Sequence, residues 1–333
     1  MKKTAALILA LVIASSAYSA PVEIKFATIA PDGSTWMNIV REFAESAEEQ
    51  TNNAVKFRFY AGGVSGDEKD VLRKMRNGQL HAAGFTSQGL GEVVPEVRLI
   101  NIPLVFQNYG EVDYVMSKMA PYFEKEFDKK GYAVLGWPEV GFAYVFSTKK
   151  IDSLESMKQV KMWVWGDDVL GNTLFKNLGI SPIALSLVDV MQSLQTGLIE
   201  GVYGSPLSAL ALQWNTRVKF VLDLKVADVP GGVLISKSQW RKISPENQKI
   251  IMKEASKAMK KLTEASRREN DEALQIMLNQ GMIMSKADGE SDREAFQNAS
   301  EATAKDLVGK FYTKAQLDEV MSYLKEYRAS KKK

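Results

Sequence analysis

Few side chains in this sequence could carry out catalysis. The 333 residues include no cysteine and a single histidine, His81. The lack of cysteine excludes disulfides, thiolate nucleophiles, Cys-ligated zinc and iron–sulfur clusters, and one histidine leaves little imidazole chemistry. No Gly-x-Ser-x-Gly or His-Glu-x-x-His motif occurs, so the usual serine hydrolase and metalloprotease motifs are missing. We therefore expect no metal and no cofactor.

Two segments of the chain follow the same plan of helix, glycine turn, short apolar strand and hydroxyl residues. The first leads through Gly78 to Thr86 and Ser87, and the second leads through Gly197 to Ser205. Ligands bind beyond the carboxyl ends of the strands in open α/β sheets. The two segments therefore predict two similar lobes whose strand ends, with these hydroxyl groups, face each other across a cleft.

Strands and helices that could position these groups alternate along the sequence. Val22–Ala27 and Val55–Tyr60 have the residue types of strands, and Ser34 is placed to cap a helix whose apolar residues recur at helical spacing. A long helix is expected from Glu246 to about Gln280, followed by two shorter helices. This alternation predicts an α/β fold with a parallel sheet.

Composition and charge further limit the classes of protein to which this chain could belong. With 45% hydrophobic and 25% charged residues, the chain is an ordinary globular protein, and its length suggests about two domains. Lysine and arginine number 43 against 40 aspartate and glutamate residues, a formal net charge of +3. Because no strong basic field is present to attract a polyanion, we expect no nucleic-acid partner.

The first residues have the layout of a secretory signal peptide. Lys2 and Lys3 precede an apolar run that is too short to span a bilayer, and small residues follow it. Cleavage is expected near Ser19 or Ala20. The sequence therefore predicts an exported protein of the periplasm whose signal peptide comprises residues 1–19.

A series of short stretches along the chain has a recognisable order. The stretches are Ala30–Ser34, Gly62–Glu68, Ile102–Phe106, Leu185–Val190, Leu194–Gly201 and Trp240–Lys249. Together they resemble the solute-binding subunits of TRAP (tripartite ATP-independent periplasmic) transporters, the DctP-like family. The resemblance covers nearly all of the chain beyond the predicted signal peptide.

This resemblance implies an α/β periplasmic-binding-protein fold of two domains, with a ligand cleft between the lobes and a long helix running along both. Domain I is expected to comprise residues 20–141 and 230–268, and domain II residues 142–229 and 269–333. The lobes would close over a small organic ligand and deliver it to the TRAP membrane permease. The stretch Tyr203–Trp214 resembles a subgroup that works with a tetratricopeptide-repeat partner.

The sequence departs from the family where a ligand carboxylate is normally bound. The resemblance places a family arginine at Trp163 and a second cationic position near Phe142, so that aromatic rings replace cations. An aromatic-lined cleft suits an apolar or amphipathic ligand. The candidate ligand-binding residues are Trp137, Phe142, Trp163, Trp165, Tyr203 and Trp214 as lining aromatics, Thr86, Ser87 and Ser205 as hydroxyl donors, and Glu68, which either faces the ligand or is a solvated helix start.

Two other functional classes stay open from the sequence alone. An ABC-type solute-binding protein shares the two-lobed architecture and the export signal. A secreted hydrolase that uses a pair of carboxylates is the enzyme alternative, since two acidic residues can meet from distant parts of the sequence. The scarcity of catalytic residues favours a binding protein over an enzyme.

Overall fold

The computed structural model of the protein describes residues 20–166 and 168–331, which form a mixed α/β fold. The predicted signal peptide lies outside the described residues. None of the helices in this part of the chain combines the length and the apolar character that crossing a membrane requires.

The structure alternates strands and helices as the sequence predicted. The strands are β1 (Val22–Ala27), β2 (Val55–Tyr60), β3 (Ala82–Thr86), β4 (Tyr132–Gly136), β5 (Glu139–Ser147), β6 (Trp163–Trp165), β7 (Ile183–Leu185), β8 (Gly201–Gly204), β9 (Phe220–Ser236) and β10 (Ile283–Ser285). The helices are α1 (Thr35–Gln50), α2 (Glu68–Arg76), α3 (Ser87–Gly91), α4 (Tyr109–Lys129), α5 (Leu154–Lys158), α6 (Val169–Asn177), α7 (Val190–Thr196), α8 (Pro206–Ala211), α9 (Lys237–Trp240), α10 (Pro245–Asn279), α11 (Glu290–Asp306) and α12 (Lys314–Ser330). A 3-10 helix, Pro95–Asn101, lies between α3 and α4.

The sheet of the first lobe is mixed rather than parallel. Its strands follow the order β2-β1-β3-β9, in which β1 pairs in parallel with β2 and β3, whereas β9 runs antiparallel to β3. The expectation of a parallel sheet holds for the three strands joined by helical crossovers. It is wrong for β9, which enters this lobe from the other one.

Two long runs of strand cross between the lobes. β4 and β5 are separated only by Trp137 and Pro138, and both pair antiparallel with β9, whose 17 residues span the two lobes. In the second lobe β9 also pairs with β10, and β5 pairs with β8. The lobes are therefore connected by paired strands, and any motion of one lobe relative to the other would bend these strands.

The second lobe is completed by a short parallel pair of strands, β6 and β7. A bridge between Met162 and Gly201 places β6 next to β8. Trp163 and Trp165 on β6 therefore lie near Tyr203 on β8, although about 40 residues separate them in sequence.

Local sequence signals account for the ends of several elements. Ser34 caps α1 by accepting a hydrogen bond from the Met37 N–H, as predicted. Gly78 and Gly197, in the two similar segments, have φ values of +70° and +72°. This left-handed conformation favours glycine, and both glycines lie at the ends of their helices: Gly197 is the C-cap residue of α7, whereas Gly78 follows Asn77, the C-cap residue of α2. β3 and β8 then end at Thr86 and Gly204.

The long helix α10 runs along both lobes, as the resemblance implied. Ser244 caps it, and Pro245 occupies its first turn. Ile251 and Leu262 pack into the apolar cluster of β1 and α1, whereas Met277 belongs to the cluster that contains Trp163. One rigid helix thus contributes to the cores on both sides of the cleft.

The predicted lobe boundaries stay a prediction, and one packing relation departs from them. Helix α12 lies within residues 269–333, which were assigned to the second lobe. However, Leu317, Val320 and Leu324 belong to the same apolar cluster as Phe123 of α4. The last helix therefore packs on the first lobe, where it covers the apolar side of α4.

Candidate ligand-binding cleft

A cavity of about 590 Å³ lies between the lobes. Ala143 of β5 and Ala227 of β9 line it where the crossing strands run, Thr86 lines it from the first lobe, and Trp163 and Tyr203 line it from the second. Pockets for small molecules have volumes of about 300–1,000 Å³. The cavity is therefore of the right size for one small organic molecule held between the lobes.

Most of the lining is apolar. Leucines predominate, and Met157, Phe175 and Phe296 add further apolar surface. The lining leucines are Leu104, Leu170, Leu174, Leu178, Leu187, Leu207, Leu210, Leu212, Leu222, Leu224 and Leu262. Since leucine and phenylalanine offer no hydrogen bonds, this surface gains free energy chiefly by covering apolar groups.

Four of the predicted aromatic residues line the cavity, and they touch one another. Trp163 stacks on Tyr203 with ring centres 5.0 Å apart, and it meets Trp214 edge to face at 5.6 Å. Trp165 lies 6.2 Å from Trp163 between ring centres. The Trp163 indole N–H donates to the Leu185 carbonyl at 3.0 Å, so the buried polar atom of this ring is satisfied. The four rings form one aromatic cluster in the second lobe, in which Trp163 and Trp214 are almost fully buried.

Trp137 and Phe142, which were also predicted to line the cleft, lie outside the cavity lining. Trp137 packs against Phe123 and Phe127 of α4 and donates its indole N–H to Glu124. Phe142 is buried against Tyr109. Residues alternate sides along a strand, so the backbone register gives the cavity side to Ala143 of β5 and the opposite side to Phe142. These two assignments need correction.

The predicted hydroxyl residues are at the cavity, but their hydroxyl groups have protein partners. Thr86 Oγ1 accepts from the Gln88 N–H and caps α3, and Ser205 Oγ accepts from the Ser208 N–H and caps α8. Ser87 donates to Asn101 at 3.2 Å. Thr86 and Ser205 therefore serve first to begin the helices that border the cleft.

Glu68 lines the cavity and is buried rather than solvated. Its carboxylate accepts hydrogen bonds from the Thr86 N–H at 2.6 Å, the Thr86 hydroxyl at 2.9 Å and the Gly89 N–H at 2.7 Å. Burial nevertheless raises its pKa to about 8, because the apolar surroundings disfavour the charged form. The carboxyl group joins α2 to the end of β3 and to α3.

A buried ion pair in the cavity lining was missed by the sequence analysis. Arg98, of the 3-10 helix, is 3% exposed, and it contacts Asp168 of the second lobe at 2.9 and 3.1 Å. It also donates to Gln88 at 2.5 Å. The available signal was a lone arginine within an apolar run, since arginine is almost never buried without a partner. The partner itself is 70 residues away.

A second group of polar contacts joins the lobes at the mouth of the cleft. One oxygen of Asp67 accepts from the Trp165 indole N–H and from the Ser186 hydroxyl, both at 2.9 Å. The other oxygen accepts from the Glu68 N–H at the start of α2. Because Asp67 belongs to the first lobe and its two partners to the second, these contacts hold the cleft in a closed arrangement.

A buried acid without a hydrogen-bond partner in the described part of the chain lies on one of the crossing strands. Asp228 of β9 is fully buried, and neither carboxylate oxygen has a hydrogen-bond partner among the described residues. Burial, with the nearby charge of Glu139, raises its pKa well above the ordinary range. Glu139 itself is paired with Arg267 of α10 at 2.5 Å. The hinge region thus contains a carboxyl group that is costly to ionise.

Most of the chain matches the sequence profile of a known protein family. The family profile described as bacterial extracellular solute-binding protein, family 7 (DctP), matches residues 26–312. The chain belongs to this family. A solute-binding protein of Chromohalobacter salexigens is 22% identical over 260 residues, which are 78% of this chain and 76% of that protein.

Solved structures of TRAP solute-binding proteins share the fold of this DctP-family chain. One from Fusobacterium nucleatum, with bound sn-glycerol-3-phosphate, has a TM-score of 0.85 and 24% identity, covering 93% of this chain and 99% of that one. Another from Chromohalobacter salexigens, with bound D-glucuronate, has a TM-score of 0.83 and 20% identity, covering 91% and 99%. The ligands in these two structures are acids.

Membership of the DctP family decides among the functional classes left open by the sequence. The chain is a solute-binding receptor of TRAP type rather than of ABC type, and it is a binding protein rather than an enzyme. The predicted two-lobed α/β fold is confirmed. The family also implies a periplasmic location and a TRAP permease as partner.

Proposed function

We propose that this receptor captures a small organic ligand that is apolar or amphipathic and delivers it to the TRAP permease. The observation that carries the proposal is the lining of the cavity, most of whose surface is apolar, with leucines and aromatic rings among the lining residues. Trp163 occupies the place where the family resemblance puts a carboxylate-binding arginine. An apolar body fits this lining better than a polyhydroxylated acid does.

The energetics favour this choice of ligand. Each buried CH₂ group contributes about 0.8 kcal/mol, and contact with an aromatic ring adds about 0.5–1.5 kcal/mol. By contrast, a sugar acid on leucine side chains would lose hydrogen bonds to water without replacing them, at a cost of about 1–3 kcal/mol per group. Relatives with acidic ligands therefore do not determine the ligand of this chain.

The proposal assigns roles to the residues at the cleft. Trp163, Tyr203, Trp214 and Trp165 contact the apolar body of the ligand. Polar groups of an amphipathic ligand meet the ends of the strands, where the hydroxyl and carboxyl groups lie. These residues are Thr86, Ser87, Ser205 and Glu68.

Native mass spectrometry of protein purified without denaturation tests the proposal. A co-purified ligand would be released and identified by its mass, and the expected class is an amphiphile with a long apolar portion. Isothermal titration with the identified compound then gives its affinity. A short dicarboxylate or a uronic acid as the retained ligand would contradict the proposal and leave the family assignment standing.

Export follows from the predicted signal peptide and is part of the proposal. Cleavage near Ser19 or Ala20 would leave the mature chain to begin just before β1, whose first residue is Val22. The mass of the intact protein from a periplasmic extract gives the cleavage site. A mass that includes residues 1–19 would contradict cleavage there.

A tetratricopeptide-repeat protein is proposed as a further partner. Its support is the resemblance of the stretch Tyr203–Trp214, in which Tyr203, Ser205 and Trp214 border the cavity. The stretch includes α8, which packs on α10. Co-purification with a tetratricopeptide-repeat protein from the same transporter tests the partnership, and separate elution at micromolar concentration would contradict a stable complex.

A further inference from the structure

The ionisable side chains that face the cavity are few, and most of them are acidic. Among the lining residues that the structure describes, Arg98 is the only lysine, arginine or histidine. Glu68, Glu139, Asp168 and Glu269 also line it. A ligand with a carboxylate or phosphate head group would therefore have a single cation to approach and several acidic side chains nearby.

Both terminal nitrogens of that single cation already have protein partners, whereas its buried Nε has none among the described residues. One terminal nitrogen of Arg98 contacts both oxygens of Asp168, at 2.9 and 3.1 Å, and the other donates to the Gln88 side chain. Both charged side chains are less than one-tenth exposed. Because the pair is removed from water, neither charge is screened as it would be on the surface.

Asp168 is held in this position by its own helix. Its carboxylate accepts from the Leu170 N–H at 3.2 Å and caps α6, whose N-terminal end favours a negative charge. Arg98 comes from the first lobe and Asp168 from the second. The ion pair therefore forms when the lobes come together, and not within either lobe.

We infer that the Arg98–Asp168 pair selects the charge of the ligand, so that the closed cleft accepts head groups without negative charge. An anion bound to Arg98 in an open cleft would meet the carboxylate of Asp168 as the lobes close. Asp168 would then either keep its negative charge beside a second anion or lose its contact with Arg98, and both disfavour closure. This inference rests on the proposed apolar or amphipathic ligand, and it adds the charge of the head group.

Two probes that differ only in head-group charge test the inference on the mature protein at neutral pH. Octanamide and octanoate have the same apolar chain, and titration calorimetry gives both affinities. Octanoate has to displace Asp168 from Arg98 to find a cation, whereas the neutral octanamide does not, so wild type should bind octanamide at least about tenfold more tightly. Equal affinities, or a preference for octanoate, would overturn the inference alone. Binding of neither probe would overturn the proposed apolar site, and the inference with it.

Asp168→Asn is the decisive variant. Asparagine caps a helix as well as aspartate does, but it leaves Arg98 with a net charge facing the cavity. Octanoate affinity should rise at least about tenfold over wild type, since a free guanidinium can then pair with the carboxylate. Asp189→Asn removes the same charge from an exposed position outside the cavity lining and should leave both affinities unchanged.

A double variant tests whether the gain in octanoate affinity expected for Asp168→Asn comes from the guanidinium of Arg98. Arg98→Met combined with Asp168→Asn removes both charges and should gain no octanoate affinity. If it gained as much as Asp168→Asn, Arg98 would not be the anion site, and the inference would fall. Should Asp168→Asn prove too unstable to titrate, the wild-type comparison of the two probes still decides.

Discussion

The indole ring of Trp163 stacks on the phenol ring of Tyr203, with ring centres 5.0 Å apart and an angle of 26° between the planes. Both rings line the cavity, yet Trp163 is only 1% exposed. Trp163 is therefore packed as a core side chain at the wall of the cavity, and its contact with a ligand stays a prediction.

Trp163→Ala should lower both stability and ligand affinity. Truncating a large buried aromatic residue costs about 3–5 kcal/mol of unfolding free energy. The ligand also loses its contact with the indole and with a Tyr203 ring that is no longer held in place. We expect a large fall in melting temperature together with at least tenfold weaker binding, or about 1.4 kcal/mol, measured by thermal unfolding and calorimetry.

Trp163→Phe is the matched control for this prediction. It keeps an aromatic ring against Tyr203 but loses the hydrogen bond to the Leu185 carbonyl. It should retain more affinity than Trp163→Ala. If alanine at this position lowered stability and left affinity unchanged, Trp163 would be a core residue with no part in binding.

Gly141 of β5 lies on the crossing strands and should not tolerate a side chain. Its φ is +100°, and an added Cβ would overlap the amide of Asn270 on α10. That amide donates to the Val140 carbonyl, and its oxygen accepts from the Leu207 N–H at the start of α8. Gly141→Ala should cost more than the roughly 1–3 kcal/mol of backbone strain alone, as measured by denaturant unfolding.

Gly281→Ala isolates the backbone part of that cost. Gly281 has a φ of +98°, but a Cβ there would meet no atom within 4 Å. The difference between the two variants therefore reports the disturbance of Asn270. Equal costs would show that the Asn270 contact does not constrain the crossing strands.

Asp228 should make stability depend on pH, and Asp228→Asn should remove that dependence. The folded pKa is raised well above the ordinary aspartate value by burial, so the folded state holds its proton longer than the unfolded state. Stability is then fully present below the ordinary pKa of about 4 and declines as pH rises towards the folded pKa. The melting temperature of Asp228→Asn relative to wild type should therefore increase with pH.

Asp152→Asn is a control, because the pKa of Asp152 is shifted in the opposite direction to that of Asp228. Asp152 is exposed, and its hydrogen bond and charge interaction with Lys150 lower its pKa. Its removal should give no gain in melting temperature at higher pH. A pH-independent difference between Asp228→Asn and wild type would mean that Asp228 titrates normally in the folded protein.

The sequence predicted features that depend on neighbouring residues, and it failed for those that depend on distant ones. The cap at Ser34 and the turns at Gly78 and Gly197 follow from local conformational preferences. Arg98 stands out in the sequence as an arginine within an apolar run, but nothing there marks Asp168 as its partner, and only the fold brings the two into contact. The sequence also could not predict on which side of β5 Phe142 lies, because a shift of one residue in register exchanges the two faces of a strand.

The interlobe contacts of Asp67 provide the last prediction, which concerns closure. Its Oδ2 accepts from Trp165 and Ser186 across the cleft, whereas its Oδ1 caps α2. Asp67→Ser keeps a capping oxygen but is too short to reach the second lobe. Two hydrogen bonds worth about 0.5–1.5 kcal/mol each are then lost from the closed form only. Ligand affinity should fall by the corresponding factor of about 5–150 with little change in melting temperature.

Small-angle scattering then distinguishes a closure defect from a damaged site. A ligand shifts the equilibrium only by its differential affinity for the two forms, so the radius of gyration of Asp67→Ser should exceed that of wild type at the same subsaturating ligand concentration. Saturating ligand should bring both to the same smaller value. Asp70→Ser, on the same helix, alters a half-exposed carboxylate paired with Arg73 and should behave as wild type. An unchanged radius of gyration in Asp67→Ser, with affinity lost, would mean that Asp67 shapes the binding site and that the lobes close without its contacts.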